Sequence, residues 1–250
     1  MTTIEALGPT LLGVVLLVTL TAAALTAYKV PYRWAPALAI LRGTVQLAAI
    51  SVILSGVISS PGFVALALLI MFAVAATTAA RRIGWSWKTL GLVGGSMGLG
   101  VAVTLGVIFA SGAVALTPRY ALAIGGIIIG NAMTTATLAG RRFSEAVRDH
   151  WEEVEGWLAL GATPRRSTLE LARRAVYSAL IPSIDQTKTT GLVTLPGAFV
   201  GAIFGGVSPL EAGRFQIVVL AGIMAAGAFT AVSVIASRAA VQVRPAPLDP

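Results

Sequence analysis

The sequence predicts an all-α, polytopic membrane protein with about seven transmembrane helices. Hydrophobic residues make up 56% of the 250 positions and charged residues only 11%, whereas soluble domains carry about 25% charged residues. The apolar residues also fall in continuous runs of about 20, which is long enough to cross a hydrocarbon core of about 30 Å. They do not alternate with polar residues, as the strands of a membrane barrel would.

The apolar runs follow one another through short polar connections, with one long polar segment before the sixth run. We therefore expect a single transmembrane domain over residues 1–250. The predicted spans are Pro9–Tyr28, Ala35–Ile58, Gly62–Ala80, Leu90–Ala110, Tyr120–Gly140, Ile184–Gly206 and Phe215–Ser237.

Lysine and arginine are distributed asymmetrically between the connections. Fourteen of the 18 fall in alternate connections and the C-terminal segment, whereas the opposite connections hold only Arg119 and Arg214. Positive loops stay in the cytoplasm, so the N-terminus is predicted outside and the C-terminus inside, in the cell's inner (plasma) membrane. Because the net charge of +8 is confined to such loops, nucleic acid is excluded as a partner and membrane lipid is expected. Residues 1–10 contain no basic residue, so no cleaved signal peptide is predicted.

Glycines recur four residues apart in three of the predicted spans. Small residues at this spacing let helix backbones approach closely in lipid. The pattern is compatible with packing inside one subunit or with an interface between two copies. The glycines concerned are Gly91, Gly94, Gly95, Gly98, Gly126, Gly130, Gly197, Gly201 and Gly205.

Charge gathers in the long polar segment 141–180, which holds five of the ten acidic residues between its positions 145 and 155. The pattern predicts a cytoplasmic helix–turn–helix. Ser144 is expected to cap the first helix, and Gly161 suits the left-handed position that ends a helix. Thr163 is expected to cap the second helix, with Pro164 in its first position.

The first of these helices carries an apolar stripe. Val147, Trp151, Val154 and Leu158 are spaced by 4, 3 and 4 residues and therefore share one face. Such a stripe needs a surface to cover, either the transmembrane bundle or a partner protein. The alternative is a solvated linker with ordinary surface charge.

Several motifs along the chain resemble a known family. "EGWLALG" (155–161) fits the E-x-x-x-x-x-G pattern of the EAA loop in ABC-transporter permeases, the helix that docks on the ATPase subunit. The chain as a whole resembles the Fet-type permease family, which includes a bacterial iron exporter subunit and plant aluminium-tolerance proteins. The motifs that carry this resemblance are "RGTVQL" (42–47), "GNAMTTATLAGRR" (130–142), "LALGATPR" (158–165), "LIPSIDQTKTTGLVTLPGAFVG" (180–201) and "GGVSPLEAGRFQIV" (205–218).

The resemblance implies a permease subunit that works with a separate cytoplasmic ABC ATPase and is not itself an enzyme. No Gly-rich loop ending in Gly-Lys-Ser/Thr occurs in the sequence, so ATP and magnesium are expected at the partner and no cofactor on this chain. Because an ABC transporter has two ATPase sites, a homodimer of this chain is expected. The expected coupling residues are Glu152, Glu155, Trp157, Gly161 and Arg165.

Polar residues inside predicted spans are candidates for a transport pathway, because charges in a bilayer are rare and usually face a bundle interior or water. Asp185 and Lys188 are three residues apart and can pair on one helix face. Either the charged residues lie near the cytoplasmic interface and snorkel, or they line a vestibule that admits a cation or metal chelate. The candidate pathway residues are Arg42, Gln46, Asn131, Thr134, Asp185 and Lys188.

The sequence does not identify a metal. His150 is the one histidine and cysteine is absent, so any bare hard cation would need oxygen ligands. Iron as the substrate of export is implied by the resemblance alone. A stand-alone secondary transporter or channel for a small cation is the alternative function. An intramembrane hydrolase is excluded, because a Ser–His pair requires a histidine at membrane depth.

Overall fold

The computed structural model describes residues 3–57 and 60–247. In that part of the chain the regular structure is helical, apart from one isolated bridge between Thr190 and Thr194. The helices are α1 (Thr3–Ala27), α2 (Ala35–Val57), α3 (Pro61–Ile83), α4 (Trp87–Ala110), α5 (Pro118–Asp149), α6 (Trp151–Ala159), α7 (Pro164–Ser167), α8 (Leu169–Thr189), α9 (Gly197–Phe204) and α10 (Pro209–Arg238).

The chain divides into two compact units, Met1–Val57 and Ile58–Pro250. In the first unit, α1 and α2 contact each other. In the second, α5 and α10 form the centre: α5 packs against α3, α4 and α8, and α10 packs against α4, α5, α8 and α9. Two buried clusters hold this unit together, one among α3, α4, α5 and α10 and the other at the end where α5, α6, α8 and α10 meet.

The two central helices begin where the sequence supplies a capping hydroxyl followed by proline. The Tyr120 backbone N–H donates to the Thr117 hydroxyl at 3.3 Å at the start of α5. The Glu211 N–H donates to the Ser208 hydroxyl at 3.3 Å at the start of α10. In both helices proline fills the first position, where its missing N–H costs nothing.

Glycine permits the closest helix contacts. A Cβ built on Gly100 would lie 2.7 Å from the Ala226 carbonyl oxygen and 2.6 Å from the Thr230 hydroxyl oxygen, so α4 approaches α10 at a distance that only glycine allows. A Cβ on Gly140 would lie 2.7 Å from the Ile83 Cδ1 atom, where α5 meets α3. Such contacts gain dispersion energy without a hydrophobic driving force in lipid.

The spaced glycines divide between inner and open faces. A Cβ on Gly94 or Gly98 would contact side chains of α3 at 3.8 and 3.6 Å, respectively. In the part of the chain that the structure describes, no atom lies within 4 Å of a Cβ built on Gly91 or Gly95. The two offset glycine pairs of α4 therefore differ: one packs inside the subunit and the other faces away from it.

Five predicted spans coincide with helices long and apolar enough to cross a membrane. The predicted second span corresponds to α2, whose shorter apolar stretch is Ala35–Ser51, and its predicted end at Ile58 lies outside the described residues. The count of seven and the orientation stay predictions. The five helices are Gly8–Ala27, Pro61–Ile83, Trp87–Ala110, Pro118–Asp149 and Pro209–Arg238.

The predicted sixth span, Ile184–Gly206, is wrong as a single helix. Residues 184–189 are the last part of α8, residues 190–196 are not helical, and α9 has only 8 residues. Gly191 has a positive φ of 87°, which an L side chain rarely adopts. Pro196, the cap residue of α9, has no N–H to continue a helix from the preceding turn.

The predicted cap at Ser144 is also wrong, because α5 continues through it to Asp149. Phe143 and Val147 are both buried in the cluster that joins α5 to α8 and α10. Burial of these side chains stabilises the continuous helix more than a cap would, since a cap contributes only about 1 kcal/mol. The helix–turn–helix of segment 141–180 is therefore the end of α5 followed by α6, α7 and α8.

Candidate coupling surface and polar sites at membrane depth

The apolar stripe of α6 packs on its own subunit. Val147 and Val154 are fully buried in the cluster with Leu171, and Trp151 and Leu158 pack against the same cluster. Of the two surfaces predicted for this stripe, the bundle or a partner protein, the structure shows the bundle for these four side chains. Their burial instead fixes α6 rigidly against the ends of α5 and α8.

A second surface of α6 stays open. Trp157 lies beside the stripe and is 49% exposed, and Leu160, just after the helix, is 82% exposed. The carboxylates of Glu152 and Glu155 are exposed on neighbouring faces. An exposed tryptophan next to an exposed leucine, surrounded by carboxylates, is typical of an anchor for a partner protein.

Gly161 ends α6 in the predicted left-handed conformation, with φ of 86°. The Ala162 N–H donates to the Trp157 carbonyl oxygen at 3.0 Å, and the Gly161 N–H donates to the Leu158 carbonyl oxygen at 3.0 Å. These two hydrogen bonds define a Schellman motif. The chain therefore leaves α6 in a fixed direction that depends on glycine at this position.

The segment after Gly161 leads directly into α8. Pro164 occupies the first position of α7 as predicted, although the Thr163 side chain makes no capping hydrogen bond. Arg165 is exposed and lies at the mouth of an apolar groove of about 420 Å³ between α8 and α10. The fully buried Thr168 then donates its hydroxyl hydrogen to the Ala239 carbonyl oxygen at 2.6 Å.

The register of α8 against α10 places Asp185 opposite the middle of α10. Thr168 contacts Ala239, and a Cβ on Gly227 would lie 3.2 Å from the Leu180 side chain. Leu180 lies twelve residues after Thr168, and Gly227 lies twelve residues before Ala239. The two helices therefore run antiparallel in a constant register. Five residues beyond Leu180, Asp185 comes opposite Gly222.

Gly222 lies 13 residues from the start of α10 and 16 from its end. Asp185 is therefore near the middle of a helix long enough to cross the bilayer. It also lies 16 residues after the start of α8, or about 24 Å along the helix axis. Whether the Asp185–Lys188 pair snorkels at the cytoplasmic interface or lines a vestibule stays a prediction.

The Asp185–Lys188 pair faces away from the other helices of its own compact unit. The Lys188 Nζ atom is 4.0 Å from the Asp185 Oδ1 atom, with the side chains 70% and 63% exposed, respectively. The following threonine hydroxyls bond back to carbonyl oxygens of their own helix: Thr189 to Asp185 and Thr190 to Gln186, at 2.9 and 2.7 Å. This stretch is polar on the side that no other described helix of the unit covers.

The other candidate pathway residues lie in different settings. On α5, the half-buried Asn131 donates its side-chain N–H to the Ile127 carbonyl oxygen at 2.9 Å, and the exposed Thr134 donates to the Gly130 carbonyl oxygen at 3.2 Å. Both are thus satisfied within their own helix. Arg42 and Gln46 are exposed on α2 of the first compact unit.

Sequence reasoning missed Gln216. It is 6% exposed, and its Oε1 atom has no hydrogen-bond partner among the described residues. It lines a cavity of about 190 Å³ together with Thr190 and Gly191, at the break between α8 and α9. The signal that could have identified it is the one amide side chain in the largely apolar run 215–237.

The described residues contain no group of three or more His, Cys, Asp or Glu side chains that could hold a metal ion. Asp185 and His150 lie on different helices, and His150 is at the junction of α5 and α6. The ligands present among the described residues therefore do not identify a transported metal.

Comparison with known proteins identifies the relatives of this architecture. The sequence profile of an uncharacterised protein family, UPF0014, matches residues 9–241. The chain belongs to this family. As a member of UPF0014 with several apolar helices, it is a multi-pass protein of the plasma membrane. No solved structure matches it.

Three relatives show the breadth of the family. Protein ALUMINUM SENSITIVE 3 of Arabidopsis thaliana is 38% identical over 181 residues, which cover 72% of this chain and 66% of the plant protein. UPF0014 membrane protein YjkA of Bacillus subtilis is 34% identical over 201 residues, 78% of this chain and 79% of its own. Probable iron export permease protein FetB of Escherichia coli is 38% identical over 121 residues, 48% of this chain and 47% of its own.

Proposed function

We propose that this chain is the membrane-spanning permease subunit of an ABC transporter that exports iron or another metal ion or chelate. A separate cytoplasmic ATPase would hydrolyse ATP, and its magnesium would be bound there. The observation that carries the proposal is the exposed surface of α6, built on the end of the 32-residue helix α5. The relationship to a protein named as a probable iron export permease supports the choice of substrate.

The proposed coupling surface has Trp157 as its anchor and includes Glu152, Glu155 and Arg165, and Gly161 sets the direction in which the chain leaves it. Val154 on the inner face of α6 is fully buried. We therefore expect a force on the coupling surface to move α6 as a rigid body. An exposed aromatic anchor of this kind often contributes more than about 2 kcal/mol to an interface.

A mechanical route leads from this surface into the membrane. The buried cluster under α6 includes residues of α5, α8 and α10. The hydrogen bond from Thr168 to Ala239 ties the first turn of α8 to the end of α10. A displacement of α6 is thereby passed to α8, the helix that carries Asp185 and Lys188.

For the transport pathway we propose the face of α8 with Asp185 and Lys188. Exposing a charge to lipid at mid-bilayer costs about 2.5–3.5 kcal/mol on insertion scales, so this face requires water or a second subunit beside it. The oxygen atoms of Asp185, and of Asn131 and Thr134 on α5, suit a hard cation. Arg42 and Gln46 on α2 complete the set of pathway candidates.

We further propose that two copies of this chain assemble with two ATPases about a two-fold axis. Each chain provides one coupling helix, and an ABC transporter uses two. The open glycines Gly91 and Gly95 on α4 offer a face for close helix contact. Native mass measurement in mild detergent should show the dimer, and replacing Gly95 with Leu should shift it to monomer.

A stand-alone secondary transporter or channel for a small cation is the second candidate. The break between α8 and α9, with an unpaired glutamine beside it, favours this alternative, because secondary transporters place ion sites at interrupted helices.

Flux in sealed vesicles separates the two candidates. We expect ATP-driven movement of iron or a chelate only when both the chain and its ATPase are present, and its loss with Asp185→Asn. The matched control is Glu170→Gln, which removes an exposed carboxylate at the cytoplasmic start of α8. Flux driven by an ion gradient without the ATPase would support the second candidate instead.

A further inference from the structure

A basic cavity lies where the ends of α3, α5 and α10 meet the C-terminal segment. Its volume is about 490 Å³. The lysine and arginine asymmetry assigns this end of the bundle to the cytoplasm. The described residues that line it are Arg81, Arg82, Gly84, Trp85, Ser144, Arg238, Pro245, Ala246 and Pro247.

Three arginines line this cavity, with no carboxylate among its described lining residues. On the same side of the bundle Arg141, Arg148 and Arg174 each lie within 4.0 Å of a carboxylate oxygen. Arg238 is half-buried and makes no ion pair or hydrogen bond in the described structure. Arginines at helix ends offset the helix dipole, but that effect does not require three of them to face one cavity.

The cavity also contains a neutral donor. Ser144 is 6% exposed. Its hydroxyl forms no hydrogen bond within the described residues and is open to the cavity. Serine hydroxyls inside helices usually bond to the carbonyl four residues back. A free donor beside guanidinium groups suits the oxygens of a phosphate.

Aromatic side chains indicate the level of the cavity relative to the membrane. The Arg81 guanidinium lies over the Trp85 ring, 5.5 Å from its centroid. Trp85 and the exposed Trp87 lie 5.7 Å apart. Tryptophans of this kind sit at the level of lipid headgroups. From the other side, Arg244 holds the C-terminal segment in place by donating to the Arg148 carbonyl oxygen at 3.2 Å.

We propose that this cavity binds a phosphate group, and that the source of that phosphate is an anionic phospholipid of the cytoplasmic leaflet. Arginine forks hold phosphate oxygens in a bidentate manner, and the Trp85 level places them at headgroup depth. The bound lipid would join α3, α5 and α10 at the end where α6 is attached to α5. The proposal does not depend on the substrate or on the ATPase.

The test is native mass spectrometry of the full-length, delipidated chain in detergent, with phosphatidylglycerol or phosphatidylcholine added. We expect one phosphatidylglycerol to bind more tightly than phosphatidylcholine. Arg82→Gln and Arg238→Gln should each weaken that binding about fivefold. Ser144→Ala, which changes no charge, should also weaken it. Arg174→Gln removes the same charge outside the cavity and should leave the affinity unchanged.

The competing results are distinct. If inorganic phosphate displaces the lipid, and the same variants lose phosphate binding, the site is a phosphate site supplied from solution. If all variants bind phosphatidylglycerol equally, or Arg174→Gln loses as much as Arg82→Gln, the lipid responds to diffuse charge and the proposal fails. It also fails if the cavity variants lose the ATPase while lipid binding is unchanged. Arg82 is exposed, so its variant keeps the test valid even if Arg238→Gln does not fold.

Discussion

The hydroxyl of Thr168 donates a hydrogen bond to the carbonyl oxygen of Ala239 across a separation of 71 residues, at 2.6 Å. Thr168 is fully buried and Ala239 is 8% exposed. The bond therefore satisfies a carbonyl just beyond the end of α10 that water cannot readily reach. It also fixes the register in which α8 runs back along α10.

Replacing Thr168 with Val keeps the shape of the side chain but removes its hydrogen bond to the Ala239 carbonyl, which still accepts from the Val241 N–H at 3.0 Å. We expect a loss of about 0.5–1.5 kcal/mol in the free energy of unfolding, measured as a lower thermal midpoint in detergent. Thr163→Val is the matched control, because the Thr163 side chain makes no capping bond. Equal midpoints for the two variants would show that the bond contributes nothing.

Replacing Trp157 with Ala should separate folding from partner binding. Because Trp157 is 49% exposed, the variant should insert and fold normally yet lose association with the ATPase, together with ATP-driven flux. Val154→Ala is the comparison: this residue is fully buried, so its truncation should lower thermal stability first. If the Trp157 variant still bound the ATPase fully, α6 would not be part of the interface.

Replacing Gly161 with Val places a β-branched side chain at a φ of 86°. We expect about 1–3 kcal/mol of local strain, a changed exit from α6 and weaker coupling, measured as ATPase co-purification and flux. Gly156→Ala lies within α6 with open space around its Cβ. It should be neutral or slightly stabilising. Coupling that survives in Gly161→Val would mean that the exit direction is unimportant.

Replacing Gly100 with Ala should destabilise the bundle by about 1–3 kcal/mol, because the new Cβ meets the backbone oxygen of Ala226, which has little room to move. Gly95→Ala on the same helix meets nothing within 4 Å. It should leave the thermal midpoint of the monomer unchanged. A similar drop in the thermal midpoint of both variants would indicate a general loss of helix flexibility instead of a specific contact.

Cysteine labelling tests the orientation. Ser111 follows α4 and Gln242 follows α10, and both are exposed. A membrane-impermeant thiol reagent applied to intact cells should label Ser111→Cys and not Gln242→Cys, and lysis should make both reactive. The reverse pattern would overturn the predicted orientation.

Local signals in the sequence predicted local features well. Five apolar runs became long helices, Gly161 took the left-handed conformation, and Pro164 began a helix. These features depend on neighbouring residues alone. The function of segment 141–180 stays a prediction, and the structure shows only that Trp157 is exposed on α6.

What failed depended on contacts between distant residues. The local pattern predicts a cap at Ser144, but Phe143 and Val147 are buried in a cluster with residues of α8 and α10, and α5 stays continuous. The apolar stripe shows which face is apolar, yet nothing in the pattern shows what covers it. The predicted sixth span begins at Ile184, whereas α8 begins at Leu169, because the residues before the apolar run pack against α5 and α10.

Helix α8 is continuous from Leu169 to Thr189, with Pro182 inside it. If it moved past α10 by one residue as a screw, each of its side chains would advance about 1.5 Å and turn by about 100° around the axis. Such a slip would have to break the hydrogen bond from Thr168 to Ala239. Once that bond is broken, a short stroke at the end near α6 would swing the Asp185 carboxylate from one neighbour to another beside the middle of α10.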